Sequence, residues 1–134
     1  MVLVFGMTVV GCASAPKSFQ KGTAGDTTVL LRDGLDFDRA FREVSFILNR
    51  HGFNSDTLQP EVGYIRTTWN YQWNDTGNTI ETYRVRVICN FNPSRTQLIL
   101  KVEAETSNGK YWISGFDTRA VETLRTDITQ SIGN

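Results

Sequence analysis

Two stretches decide the fold: Thr79-Ile80-Glu81-Thr82-Tyr83-Arg84-Val85-Arg86-Val87-Ile88-Cys89-Asn90-Phe91 and Gln97-Leu98-Ile99-Leu100-Lys101-Val102-Glu103-Ala104-Glu105-Thr106. Both alternate with a period of two, which is the side-chain period of a strand with one face buried. Tyr83, Val85, Val87, Cys89 and Phe91 share one face of the first, and Leu98, Leu100, Val102 and Ala104 share one face of the second. Asn92-Pro93-Ser94 lies between them, a turn signal that makes the pair antiparallel neighbours.

Working outward, more elements of the same kind appear. Val62 to Trp73 is rich in aromatic and β-branched residues, and Phe53 to Gln59 is a weaker strand closed by Pro60-Glu61. Asn108-Gly109 is a hairpin turn leading into a short strand, Tyr111 to Ser114, and Thr28 to Leu31 is another short candidate. Two segments change period. Phe37, Ala40, Phe41, Val44, Leu48 and His51 recur at three and four residues, predicting a helix from Phe37 to Arg50 capped by Asp36 and ended at Gly52. Val121, Leu124, Ile128 and Ile132 predict a second helix, from Thr118 to Ser131, with Asp117 as its cap and Gly133 ending it. The fold class expected is α+β: an antiparallel meander sheet of four to five strands with two helices packed on one face.

The turns suggest a register. A three-residue loop at Asp75-Thr76-Gly77, with Gly77 at a positive φ, pairs Trp69 with Tyr83, Thr67 with Val85 and Ile65 with Val87 on the core face. A turn at Pro93-Ser94 pairs Val85 with Val102 and Val87 with Leu100, and sets Arg84 opposite Glu103 on the outer face. In that register Tyr64, Ile88 and Ile99 form one row of the helix-free face, and Arg66, Arg86 and Lys101 form the next. An apolar row beside three cations suits an acidic or amphipathic protein partner, and these six residues are the candidate partner-binding face. The competing reading is a solvated face whose hydrophobes reflect strand propensity.

Other constellations read as structure. Trp69, Tyr71 and Trp73 are expected in a packed aromatic cluster rather than a stacking platform for sugars or bases. His51 is expected at a helix end, and Cys89 as a small buried hydrophobe. Asp36-Phe37-Asp38 is a helix start. Within 134 residues, 14 Lys+Arg balance 14 Asp+Glu, so clustered surplus cations for nucleic acid are absent. One histidine and two cysteines leave no His-pair metal motif, thiolate zinc site or disulfide framework. There is no Gly-rich phosphate loop and no nucleophile elbow. No catalytic residue, metal or cofactor is therefore expected, and the chain reads as a non-enzymatic domain.

The N-terminus reads as an address. Met1 to Val10 is an uncharged apolar run, too short to span a bilayer core of about 30 Å as a helix but of signal-peptide length. Only Met1-Val2 precedes the apolar core where such leaders carry Lys or Arg, so the start codon is expected upstream. Val9-Val10-Gly11-Cys12 resembles the lipobox of bacterial lipoproteins. The resemblance implies cleavage before Cys12, acylation of that cysteine, and, with Ala13 rather than Asp following it, outer-membrane residence. Two or more acyl chains anchor stably where one binds reversibly. The expected organisation is a signal peptide at 1–11, a lipidated cysteine and flexible tether at 12–26, and one domain at 27–134. Phe19 is the one bulky tether residue, suited to docking on the domain or a partner.

A helix ending in His51-Gly52-Phe53, followed by Glu61-Val62-Gly63-Tyr64-Ile65-Arg66-Thr67, resembles the strand entry of small Gram-negative periplasmic lipoproteins. With the lipobox it is similar to the domains of BamC (NlpB-type) accessory lipoproteins of the outer-membrane β-barrel assembly machine. That likeness implies a lipid-anchored binding or scaffold component of a cell-envelope assembly, facing the periplasm. The alternative is a lipid- or lipopolysaccharide-handling lipoprotein of the LptE type.

Overall fold

Five consecutive strands build the meander that the alternation demands: β3 (Ser55–Gln59), β4 (Tyr64–Thr67), β5 (Tyr83–Phe91), β6 (Gln97–Ser107) and β7 (Trp112–Asp117). The computed structural model describes residues 15–23 and 26–134. The expected signal peptide and Cys12 lie outside the described residues. Two further strands precede the meander, β1 (Phe19–Lys21) and β2 (Thr27–Leu30), and make the sheet seven-stranded rather than four- or five-stranded. Strand order is β1-β7-β6-β5-β4-β3, every pair antiparallel, with β2 pairing β6 beside β7. The α+β class stands.

Helices α1 (Phe37–Arg50) and α2 (Thr118–Ile132) have the expected limits to within a residue. Asp36 Oδ2 accepts from Arg39 N at 3.1 Å, which starts α1, and Gly52 (φ +85°) follows its end. Ala40, Phe41, Val44, Ile47 and Leu48 of α1 and Ala120, Leu124, Ile128 and Ile132 of α2 are buried. They form one core with Ile65, Val85, Val87, Cys89, Leu98, Leu100 and Val102 of the sheet. The helices meet where His51 Nε2 lies 2.5 Å from Asp127 Oδ2.

The register differs from expectation by two residues in both hairpins. Val87 faces Val102 and Arg84 faces Glu105, because the β5–β6 turn is wider than Pro93-Ser94 alone. Asn92 Oδ1 accepts from Thr96 N at 2.8 Å and Gln97 N at 3.0 Å, which draws Arg95 (φ +56°) and Thr96 into the loop. Between β4 and β5, Ile65 faces Cys89 and Arg66 faces Ile88. An even shift keeps every side chain of these strands on its expected face.

The loop that was to fix the register does not. β4 stops at Thr67, and a long connection runs to Tyr83. Buried Thr67 replaces a backbone acceptor with its hydroxyl: Val87 N donates to Thr67 Oγ1 at 2.9 Å. Three residues on, Asn70 bridges Val85, one residue out of step with the ladder before it. That slip turns Trp69 from the expected core face to the outer face. Gly77 does have positive φ (+69°), within a turn organised by buried Asn74, whose Oδ1 accepts from Thr76 N, Thr76 Oγ1 and Gly77 N at 2.9, 2.6 and 3.1 Å. Trp73 packs against Phe53, with ring centroids 5.2 Å apart.

Residues 16–21 are not a loose stretch of tether. Pro16 O accepts from Phe19 N, β1 pairs with β7, and the Phe19 ring meets Tyr83 edge-on at 6.0 Å. One buried carboxylate gathers this corner. Asp117 accepts from Ser18 Oγ (2.8 Å), Trp73 Nε1 (3.2 Å), Ala120 N (2.8 Å) and the Tyr83 hydroxyl. It thereby caps α2 and ties together the turn before β1, the start of β5 and the connection after β4.

Candidate functional site

The helix-free face is built from the residues between the core positions of β4, β5 and β6. All six residues nominated from sequence, Tyr64, Arg66, Arg86, Ile88, Ile99 and Lys101, lie on it and are half-buried. Their rows differ from expectation because of the two-residue shift. Tyr64, Asn90 and Ile99 form one row, and Arg66, Ile88 and Lys101 the next, so apolar and cationic groups interleave instead of segregating. The continuous apolar row of Tyr64, Ile88 and Ile99 does not exist.

The cations are also not free. Arg66 Nε lies 3.1 Å from Asp56 Oδ1, Arg86 Nε 2.7 Å from Glu103 Oε2, and Lys101 Nζ 3.7 Å from Glu103 Oε1. The hydrogen bond from Arg66 holds the Asp56 carboxyl below its ordinary range, and the same bond raises the Arg66 guanidinium. Arg84, which faces Glu105, lies 2.6 Å from its Oε1 and donates to the Tyr71 hydroxyl at 3.2 Å. Burial works against the Arg84 charge, but its bonds to Tyr71 and Glu105 outweigh burial and its pKa rises. This face carries its own counter-charges.

Two tryptophans complete it. The Arg84 guanidinium sits 4.0 Å from the Trp112 ring centroid and 4.4 Å from that of Trp69, and Arg86 lies 4.4 Å from Trp69. The result is a ladder of alternating rings and cations, Trp112, Arg84, Trp69, Arg86, with Glu105 and Glu103 beside the cations. The alternation puts Arg84 and Glu105 outward but leaves both tryptophans unread: the phase slip after Thr67, which turns Trp69 outward, has no signature in it, and Trp112 opens a strand of only six residues. A groove of about 550 Å³ adjoins the ladder, lined by Lys21, Trp69, Arg86, Lys101, Glu103 and Ser114 among others. It lies along β6 between the stretch paired with β2, ending at Leu100, and the stretch paired with β7, starting at Ala104. Arg86 and Lys101 belong to it, whereas Tyr64, Arg66, Ile88 and Ile99 do not.

A second surface was not anticipated. Phe46 (65% exposed) of α1 and Leu58 (51% exposed) of β3 flank an apolar groove of about 540 Å³ with Phe41 and Pro60. Phe46 is off the buried stripe of α1, which is why the periodicity passed over it. Cys89 is fully buried, and burial pushes its thiol up to about 12, so it stays protonated. Among the described residues no three His, Cys, Asp or Glu side chains are grouped to hold a metal ion. No helix among them is long and apolar enough to cross a membrane. Comparison with protein-family models and with curated proteins finds no match to this chain.

Proposed function

We propose that this protein is an outer-membrane-anchored lipoprotein facing the periplasm, a non-enzymatic binding or scaffold component of a cell-envelope assembly such as barrel assembly. The observation that carries the reading is Val9-Val10-Gly11-Cys12 directly after the apolar run Met1 to Val10. The helix-free face supports the binding role: it is aromatic-rich and internally charge-paired, the composition of a surface that docks a protein by fit rather than by charge. Metabolic palmitate labelling with cell fractionation tests the anchor: label and outer-membrane residence are expected for the native chain and lost in Cys12→Ser. Label that persists in Cys12→Ser overturns it. The docking face is tested by Tyr64→Ala with Ile99→Ala, which removes apolar surface and leaves the ion pairs. Undiminished recovery of every envelope partner of the native chain from mild detergent refutes the face.

The apolar groove between α1 and β3 favours one other reading, a lipid-handling lipoprotein in outline like the LptE type. Acyl chains extracted with the purified protein, and lost in Phe46→Gln with Leu58→Gln, would establish that reading in place of the first.

A further inference from the structure

Ser18 and Phe19 fix where the folded body begins, and so how long the leash from Cys12 is. Only Ala13 and Ser14 separate Cys12 from Ala15, which packs against the core, and Pro16 accepts the backbone bond that turns the chain into β1. Four residue steps, Cys12 to Pro16, span at most about 14 Å even fully extended. A leash running to Thr27 would reach about 50 Å by the same measure. We infer that docking of β1 holds this domain directly against the lipid surface, with the Pro16–Ser18 turn and the start of α2 facing the headgroups. The inference rests on acylation of Cys12. The chain chemistry at that end is compatible with a wet interface: Lys17 is exposed, Thr118 N and Oγ1 donate to Ser18 O, and Arg119 pairs with Asp75 at 3.5 Å.

The strand order then sets the remainder. β1 and β3 are opposite edges of the sheet, five strand spacings apart or about 24 Å. The β3 edge and its apolar groove point away from the membrane, and partners of the helix-free face are those presented at the membrane surface. Gly115 is the latch. A Cβ there would strike the Gln20 carbonyl oxygen and lie 2.6 Å from the Phe19 ring, so β1 can pair with β7 only across a glycine.

The experiment uses the full acylated chain in vesicles of phosphatidylethanolamine and phosphatidylglycerol carrying a nitroxide on a fraction of headgroups. A bimane is attached at Arg119→Cys, in the first turn of α2, or at Gln59→Cys, on β3, while buried Cys89 stays unreactive. Quenching several-fold stronger at position 119 than at 59 is expected. Gly115→Ala, which frees β1, and a Gly-Ser insertion of about twelve residues after Ser14, which lengthens the leash without touching the fold, should each abolish the difference. Equal quenching at the two positions in the native leash, or a difference that survives the insertion, overturns the inference. A chain that fails to sediment with vesicles instead overturns the anchor itself, so the two failures are distinct.

Discussion

Replacing Asp117 by Ala should be among the most damaging single changes to this fold. The carboxylate is fully buried and receives four donors from four separate parts of the chain. Loss of an α2 N-cap costs about 1 kcal/mol, with a range of roughly 0.5–2. The Tyr83 hydroxyl, on a side chain 1% exposed, would lose its acceptor, a penalty of about 1–3 kcal/mol. Ser18 and Trp73 are only partly buried, so water can replace their bonds and they add less. The sum is about 3–4 kcal/mol, a large part of the roughly 5–15 kcal/mol that holds an ordinary domain folded. Asp117→Asn keeps Oδ1 for Ala120 and Trp73 and asks the two hydroxyls to turn and accept from its amide, so it should cost about half as much. Urea denaturation of native, Asp117→Ala and Asp117→Asn chains measures the difference. A loss under about 1 kcal/mol for the alanine variant, or equal losses for both, would refute the view of Asp117 as the knot of this corner.

Three further outcomes follow from the same geometry. Burial first, and then the bond to Asp117, raises the Tyr83 phenol above its ordinary value near 10. The unfolded chain releases that proton first as pH rises, so the stability it contributes is intact below about pH 10 and drains away above it; urea midpoints from pH 8 to 11 should fall more steeply in the native chain than in Tyr83→Phe. Thr67→Val leaves Val87 N without its acceptor and should cost about 1–3 kcal/mol, whereas Thr67→Ser should restore most of it, as thermal melts would show. Trp69→Leu removes the ring shared by Arg84 and Arg86 and should cost about 1–2 kcal/mol, with equal melting temperatures counting against the ladder as a stabilising element.

The alternation in β5 and β6 carried most of the fold. It assigned the inward and outward residues of both strands correctly, and a two-residue error in register left those assignments intact because the pleat repeats every two. What defeated the register was local side-chain chemistry: the Asn92 carboxamide, which satisfies two loop N–H groups, and the Thr67 hydroxyl, which stands in for a carbonyl. Asn92 could equally have been a solvent-exposed polar residue in the sequence, and Thr67, although placed on the core face, carries no mark of the backbone donor its hydroxyl serves. β1 left no trace beyond Phe19, since three residues are too few to show a period. The glycine of Glu61-Val62-Gly63-Tyr64, part of the likeness to periplasmic lipoproteins, has its own reason. Gly63 has φ +68°, and a Cβ there would come within 2.8 Å of Phe91 Cβ, so any chain turning into a strand this way needs glycine. The six nominated face residues were placed on the right surface but in the wrong rows, and their paired carboxylates were legible only once Arg86 was known to face Glu103.

That pairing changes how a partner would be recognised. A face with unopposed Arg66, Arg86 and Lys101 would draw an acidic partner from a distance, and its binding would fall steeply with salt. Here Asp56, Glu103 and Glu105 oppose Arg66, Arg86, Lys101 and Arg84, leaving the face nearly neutral. Reversing Arg66 and Arg86 to Glu would also set new carboxylates against Asp56 and Glu103, so loss of binding in that variant would report damage to the surface as much as loss of an attraction. Docking through this face should instead rest on fit against Tyr64, Ile88, Ile99 and the tryptophans, and its affinity should change less than about threefold between 50 and 500 mM salt, because the cations release few counterions on binding. Titrating a purified partner at both salt concentrations, with Tyr64→Ala/Ile99→Ala as the comparison, decides it. A steep loss at high salt combined with indifference to the double alanine change would mean that the partner opens the ion pairs and reads the arginines after all.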